Sequence, residues 1–173
     1  MPNNTVISAE SGKQELFITR EFDAPRELLF KAYTDPDLYV KWVGPNGMEM
    51  RIEKWECHEG GSYRFVHTRD GHEYSFFGVY HEVLAPQRII GTFEFDGLPE
   101  RGHVIMGNTL FEELPNGRSK LVHQSVFFSV GERDGMLASG MERGVSEGYE
   151  KLDELFRSLQ EPGTAKAKDT ARA

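Results

Sequence analysis

The side chains able to do acid-base chemistry near neutral pH are the 6 histidines, His58, His67, His72, His81, His103 and His123. Imidazole titrates in that range and can serve as a general base or as a hydrogen-bonding group for a ligand. No H-x-H, H-E-x-x-H or C-x-x-C spacing joins them to one another or to the single cysteine, Cys57, so no metal site is expected. Cys57 and His58 are adjacent, but neighbours on a strand point to opposite faces, so they do not form a thiolate-imidazole pair. No G-x-S-x-G elbow, phosphate loop or dinucleotide glycine fingerprint is present, and no cofactor is expected.

What the histidines can do depends on the elements that carry them. The segment QELFITREF reads as a first strand with both faces partly covered. Asp23 offers an N-cap and Pro25 suits a first helical turn, followed by Leu28, Leu29, Ala32 and Tyr33 at helical spacing. Asp35-Pro36 interrupts the pattern, and a second short helix is expected over Asp37 to Lys41. From there to Ser129, segments rich in β-branched and aromatic residues alternate with Gly60-Gly61, Asp70-Gly71, Pro86 and Pro115-Asn116-Gly117, which predicts an antiparallel meander. Ser129 and Glu132 have capping-box spacing at the start of an amphipathic helix expected to run from about Glu132 to Leu159.

These elements make an α+β fold in which a curved antiparallel sheet covers the apolar stripe of the long C-terminal helix. Strand parity then turns Phe77, Val79, His81 and Val83 toward the helix, with Ile89, Gly91, Phe93 and Phe95, and also Leu121, His123, Ser125 and Phe127. His67 and Phe65 join them if the earlier strand keeps the same phase, and a bulge would invert any of these assignments. From the helix come Met141, Val145 and Tyr149, the last with a hydroxyl that needs a partner if buried. Trp42, just before Gly44-Pro45, offers a flat apolar surface and an indole donor at a pocket mouth, or else core packing. Gly140, Gly144 and Gly148 recur every four residues along the helix. They leave room for a ligand or let another backbone approach closely.

Length and composition set the frame. The 173 residues suit one folded domain, here 14–160, with polar segments 1–13 and 161–173 expected as disordered tails. A charged fraction of 28% and no apolar run of membrane-spanning length describe a soluble chain. The start lacks the basic and apolar regions of a secretory signal and there is one cysteine, so a cytoplasmic location is expected. A formal net charge of -8 argues against a nucleic-acid partner.

The stretches REFDAPRELLFKAYTDPDLYVKWVGP, GVYHEVLAPQRIIGTFEFDG and LASGMERGVSEGYEKLDELF, with the Gly60-Gly61 turn between the first two, resemble the Hsp90-ATPase-activator-homologue family of the START-like (SRPBCC) superfamily, which includes the birch-pollen allergen. The resemblance spans roughly Leu16 to Leu159. It implies the helix-grip fold, with two short helices after the first strand and a hydrophobic cavity between sheet and C-terminal helix. Ligands of such cavities include lipid-like, polyketide-like and other aromatic molecules. The expected function is therefore binding of a small hydrophobic molecule, with Trp42, Phe65, His67, Phe77, Val79, His81, Phe93, His123, Met141, Val145 and Tyr149 as the ligand-facing set. Two other readings stay open. One is a cavity enzyme of cyclase, aromatase or hydrolase type using His81 or His123 with Tyr149; the other is a protein-interaction module with a homodimer or chaperone partner.

Overall fold

The computed structural model describes residues 3–162. Eight strands form one antiparallel sheet: β1 (Val6–Ser8), β2 (Glu15–Phe22), β3 (Glu49–Trp55), β4 (Ser62–Arg69), β5 (His72–Leu84), β6 (Arg88–Phe95), β7 (Ile105–Leu114) and β8 (Arg118–Val126). Their order across the sheet is β1-β2-β8-β7-β6-β5-β4-β3, so β3 to β8 form the expected meander and its last strand pairs with β2. Helices α1 (Arg26–Thr34) and α2 (Pro36–Tyr39) connect β2 to β3, and α3 (Val130–Ala138) and α4 (Met141–Gln160) follow β8. The segment 1–13, expected as a tail, carries β1, whose Val6 pairs with Thr19 and Ser8 with Phe17. Most of the C-terminal segment expected as a tail, 163–173, lies outside the described residues.

Local chemistry explains several element ends. Ser129 Oγ accepts from the Glu132 N–H at 3.1 Å, which caps α3. The reciprocal half of the expected capping box does not form, because the Glu132 carboxylate is 3.1 Å from His103 Nδ1 instead. Asp23 does not cap α1, which begins after Pro25 without a side-chain cap; its carboxylate accepts from Arg118 at 2.9 Å. The expected single C-terminal helix is two. Gly140 takes φ +82°, a left-handed conformation that glycine adopts without a Cβ penalty, and the chain turns there between α3 and α4. The Trp42 and Trp55 indoles donate to the Ala32 and Thr34 carbonyls at 3.0 and 2.9 Å. They satisfy backbone acceptors at the end of α1 that no further helical turn could pair.

The main core joins Leu16, Ile18 and Phe22 of β2 to Leu29 and Phe30 of α1, Phe111 and Leu121 of β7 and β8, and Tyr149, Leu152 and Phe156 of α4. Phe22 is edge-on to both Tyr149 and Phe156, with centroids 5.5 and 5.8 Å away. The C-terminal half of α4 is thus anchored over β2 and β8. The β4 to β6 side of the concave face lies beyond this core.

Candidate functional site: an aromatic wall on the concave face

Directly opposed residues in an antiparallel pair share a face. Phe65 of β4 touches Tyr39 of α2 at 5.7 Å, which fixes its side of the sheet as the concave one. Its partner across the strand pair is Phe76, and Phe76 pairs in turn with Phe95. Phe76 is the hub of an aromatic stack: its ring lies 5.3 Å from Phe65, 5.3 Å from Phe93 and 5.1 Å from Phe95. Phe65 is buried, whereas Phe76, Phe93 and Phe95 remain half-buried. The stack is therefore an apolar wall with partly open faces.

This pairing corrects part of the parity argument. Phe76, Gly78 and Tyr80 face inward, so Phe77, Val79 and His81 point to the convex side. Phe77 lies under the Arg64 and Arg101 guanidinium groups at 4.7 and 5.0 Å, and Val79 and His81 are exposed. The cause is a register irregularity between Tyr80 and Glu82: beyond it Val83 pairs with Ile89 and packs on the core. Val83 faces inward as expected, but its phase does not extend back through His81. On β6 and β8 the inward residues are those the alternation indicates.

Next to the stack the glycines are closely covered: a Cβ at Gly91 would stand 2.7 Å from the Val79 carbonyl oxygen and one at Gly107 3.2 Å from His123 Cε1. Tyr80, Gly91, Gly107 and Ser125 form one row across β5, β6, β7 and β8. Tyr63 opposes Gly78 and its hydroxyl donates to the Thr92 carbonyl at 2.6 Å, so its ring covers the space a side chain at position 78 would occupy.

His123 lies in the adjoining row. Its Nδ1 is 2.7 Å from Thr109 Oγ1 and its Nε2 is 3.0 Å from Ser125 Oγ, so both ring nitrogens are satisfied by hydroxyls. Burial lowers its pKa to about 4 and holds it neutral. His67 is only 5% exposed, sits 5.3 Å from Phe65 and edge-on to Phe76 at 5.6 Å, and its buried Nε2 has no hydrogen-bond partner among the described residues. Burial first, and then the Lys151 charge, lower its pKa to about 4.

Both histidines pick up protons more readily in the unfolded chain, whose imidazoles titrate near 6.5. Their neutral-form stabilisation is complete above pH 6.5 and decays as pH falls from 6.5 toward 4. The urea midpoint is expected to fall through that window, and to fall less steeply when His67→Asn and His123→Gln are combined. Parallel slopes for the two proteins would contradict the assignment.

The helix contributes differently from expectation. Tyr149 is buried in the core, 3.2 Å hydroxyl to hydroxyl from Tyr33 and stacked on Trp42 at 5.9 Å, and burial pushes its pKa up to about 12. Trp42 is likewise core. Met141 and Val145 are half-buried and pack against the core edge. The three helix glycines have different surroundings: a Cβ at Gly148 would stand 3.1 Å from the Trp42 carbonyl oxygen, one at Gly144 would touch the Pro45 ring at 3.6 Å, and one at Gly140 would meet nothing within 4 Å. Among the described residues no group of three or more His, Cys, Asp or Glu is placed to hold a metal. Phe95 faces inward as the alternation indicates, whereas Phe76 and Tyr63 were not among the sequence candidates; the Phe76-Phe77 doublet held the signal, but register alone selects its inward member.

A curved antiparallel sheet gripping a C-terminal helix defines a START-like helix-grip protein. Within that class the chain belongs to the activator of Hsp90 ATPase homolog 1-like family, whose sequence profile matches residues 23–157. No curated protein matches the chain. A Rhodobacter sphaeroides protein of known structure is 26% identical, covering 90% of this chain and 100% of its own, with a TM-score of 0.81. An Arthrobacter aurescens protein is 21% identical over 97% of this chain and 98% of its own, with a TM-score of 0.80. A Mycobacterium smegmatis protein is 23% identical over 89% and 96%, at 0.79. These last two likenesses show the fold.

Proposed function

We propose that the protein binds a small hydrophobic or aromatic molecule in the groove between β4 to β6 and the helical layer, as a cytoplasmic binder. One observation carries this reading: Phe76, Phe93 and Phe95 form a stacked wall outside the main core and stay half-buried, although aromatic rings in a closed interior would be covered.

The test is mass spectrometry of molecules extracted from the purified protein, coupled to thermal shift with a panel of aromatic and aliphatic compounds. At least one compound is expected to raise the melting temperature, and Phe76→Ala is expected to reduce that rise by lowering affinity about tenfold or more, the worth of one buried aromatic contact. A panel without any shift, or a shift unchanged in Phe76→Ala, would contradict the proposal.

The cyclase-like constellation is not assembled. His81 faces outward, His123 has both nitrogens engaged, and Tyr149 is paired with Tyr33 in the core. A protein-contact role has one observation in its favour. Met106 and Val126 are cross-strand partners on the convex face and are 45% and 39% exposed, with Phe128 at 67% two residues beyond. Sedimentation of the protein against Met106→Glu checks this reading: a homodimer made through that face dissociates in the variant, and a monomer in both removes it.

A further inference from the structure

The aromatic wall is closed at its ends by backbone, and this limits what can lie along it. At one end Gly97, just past β6, lies on the Phe95 ring: a Cβ there would be 2.1 Å from Phe95 Cζ. At another, Gly44 lies against His67, where a Cβ would be 2.1 Å from the imidazole Cε1. Tyr39 of α2 covers Phe65 at 5.7 Å, and the His123 ring stands over Gly107, 3.2 Å from where its Cβ would be. Phe76 and Phe93, half-buried and with centroids 5.3 Å apart, lie between these covered positions.

Both backbone caps are tied down. The Asp96 N–H donates to the Ser75 carbonyl at 2.9 Å, and the Glu94 carboxylate accepts from the Gly102 N–H at 2.9 Å, so the chain around Gly97 is held on either side. The loop of Gly44 is held by α4: the Asn46 N–H donates to Glu147 at 2.6 Å, and a Cβ on Gly148 would stand 3.6 Å from the Gly44 nitrogen. A body longer than the pair of Phe76 and Phe93 must therefore displace a hydrogen-bonded segment or strain the rings beneath it.

We infer that the wall seats a compact body of one or two fused rings, or an alkyl group of like extent, and refuses long chains and larger ring systems. The inference rests on the wall being the ligand site and sharpens its specificity: Gly97 and Gly44 set the length, while Phe76 and Phe93 hold the apolar body.

Calorimetric titration of the full chain with two matched pairs tests it: naphthalenemethanol against pyrenemethanol, and octanol against tetradecanol. The larger member of each pair has more apolar surface, so on area alone it would bind more tightly. The opposite order is expected: in whichever pair binds, the smaller member binds about tenfold or more tightly, the factor that one overpacked contact costs. Phe95→Ala vacates the position under Gly97 and is expected to bring the two affinities of that pair close together. Larger members binding as tightly as smaller ones to the native protein, or a ratio unmoved by Phe95→Ala, would overturn the size inference and leave the wall reading standing. Failure of all four compounds to bind would overturn both. The comparison on the native protein needs no variant, so a poorly folded variant does not remove the test.

Discussion

Replacing Gly44 with alanine is expected to destabilise the protein by roughly 2–5 kcal/mol, through two terms that add. The first is backbone strain, because φ +91° lies where residues with a Cβ rarely go. The second is steric: the new methyl would lie 2.1 Å from His67 Cε1, and the imidazole is held on its other sides by Phe65 and Phe76. Either the loop or the ring must move, and both belong to the groove. Gly47 provides the control. It has φ +80°, but its Cβ would meet only the Arg69 guanidinium at 3.5 Å, so alanine there carries the strain term alone, roughly 1–2 kcal/mol. Urea unfolding of the two variants checks the ordering. Equal costs would show that contact with His67 does not constrain the loop.

The second large effect concerns the ion pair that anchors α4. Arg20 of β2 is buried, and its guanidinium donates to Asp153 Oδ1 and Oδ2 at 2.8 and 2.6 Å, the bidentate geometry that suits a carboxylate. The guanidinium also lies over the Phe22 ring at 4.7 Å, among the residues that seat the helix. Asp153→Ala leaves that cation buried without its counter-ion, an expected loss of about 3 kcal/mol. Adding Arg20→Met to Asp153→Ala removes the stranded charge and is expected to recover a large part of the loss. A double variant no more stable than Asp153→Ala would contradict this account of the pair, and equilibrium unfolding measures both.

How much of this was legible in the sequence follows from how local each cause is. The turns at Asp70-Gly71 and Pro115-Asn116-Gly117 and the Ser129 cap are fixed by residues in contact along the chain, and they delimit the structure much as expected. The family resemblance supplied the helix-grip arrangement. The inward face of β5 was not legible, because a single irregularity between Tyr80 and Glu82 separates the phase of Phe76 from that of Val83. Gly140 reads as one of three equivalent helix glycines, and its role at the α3 to α4 break becomes visible only in its backbone angle. Gly148 is explained by the Trp42 carbonyl, more than a hundred residues earlier in the chain. The partners of His123 include Thr109 from a neighbouring strand, which depends on register. At the candidate site, Phe65, His67 and Phe93 were legible from alternation, whereas Phe76, the hub, was not.

The claim that the aromatic wall holds a small apolar ligand is tested most directly by NMR titration of the protein with naphthalenemethanol and with decanol, following the aromatic and backbone resonances. With at least one of the two, shifts are predicted to concentrate on Phe65, His67, Phe76 and Phe93. Resonances that stay unmoved there, or shifts confined to Met106, Val126 and Phe128 on the convex face, would contradict it.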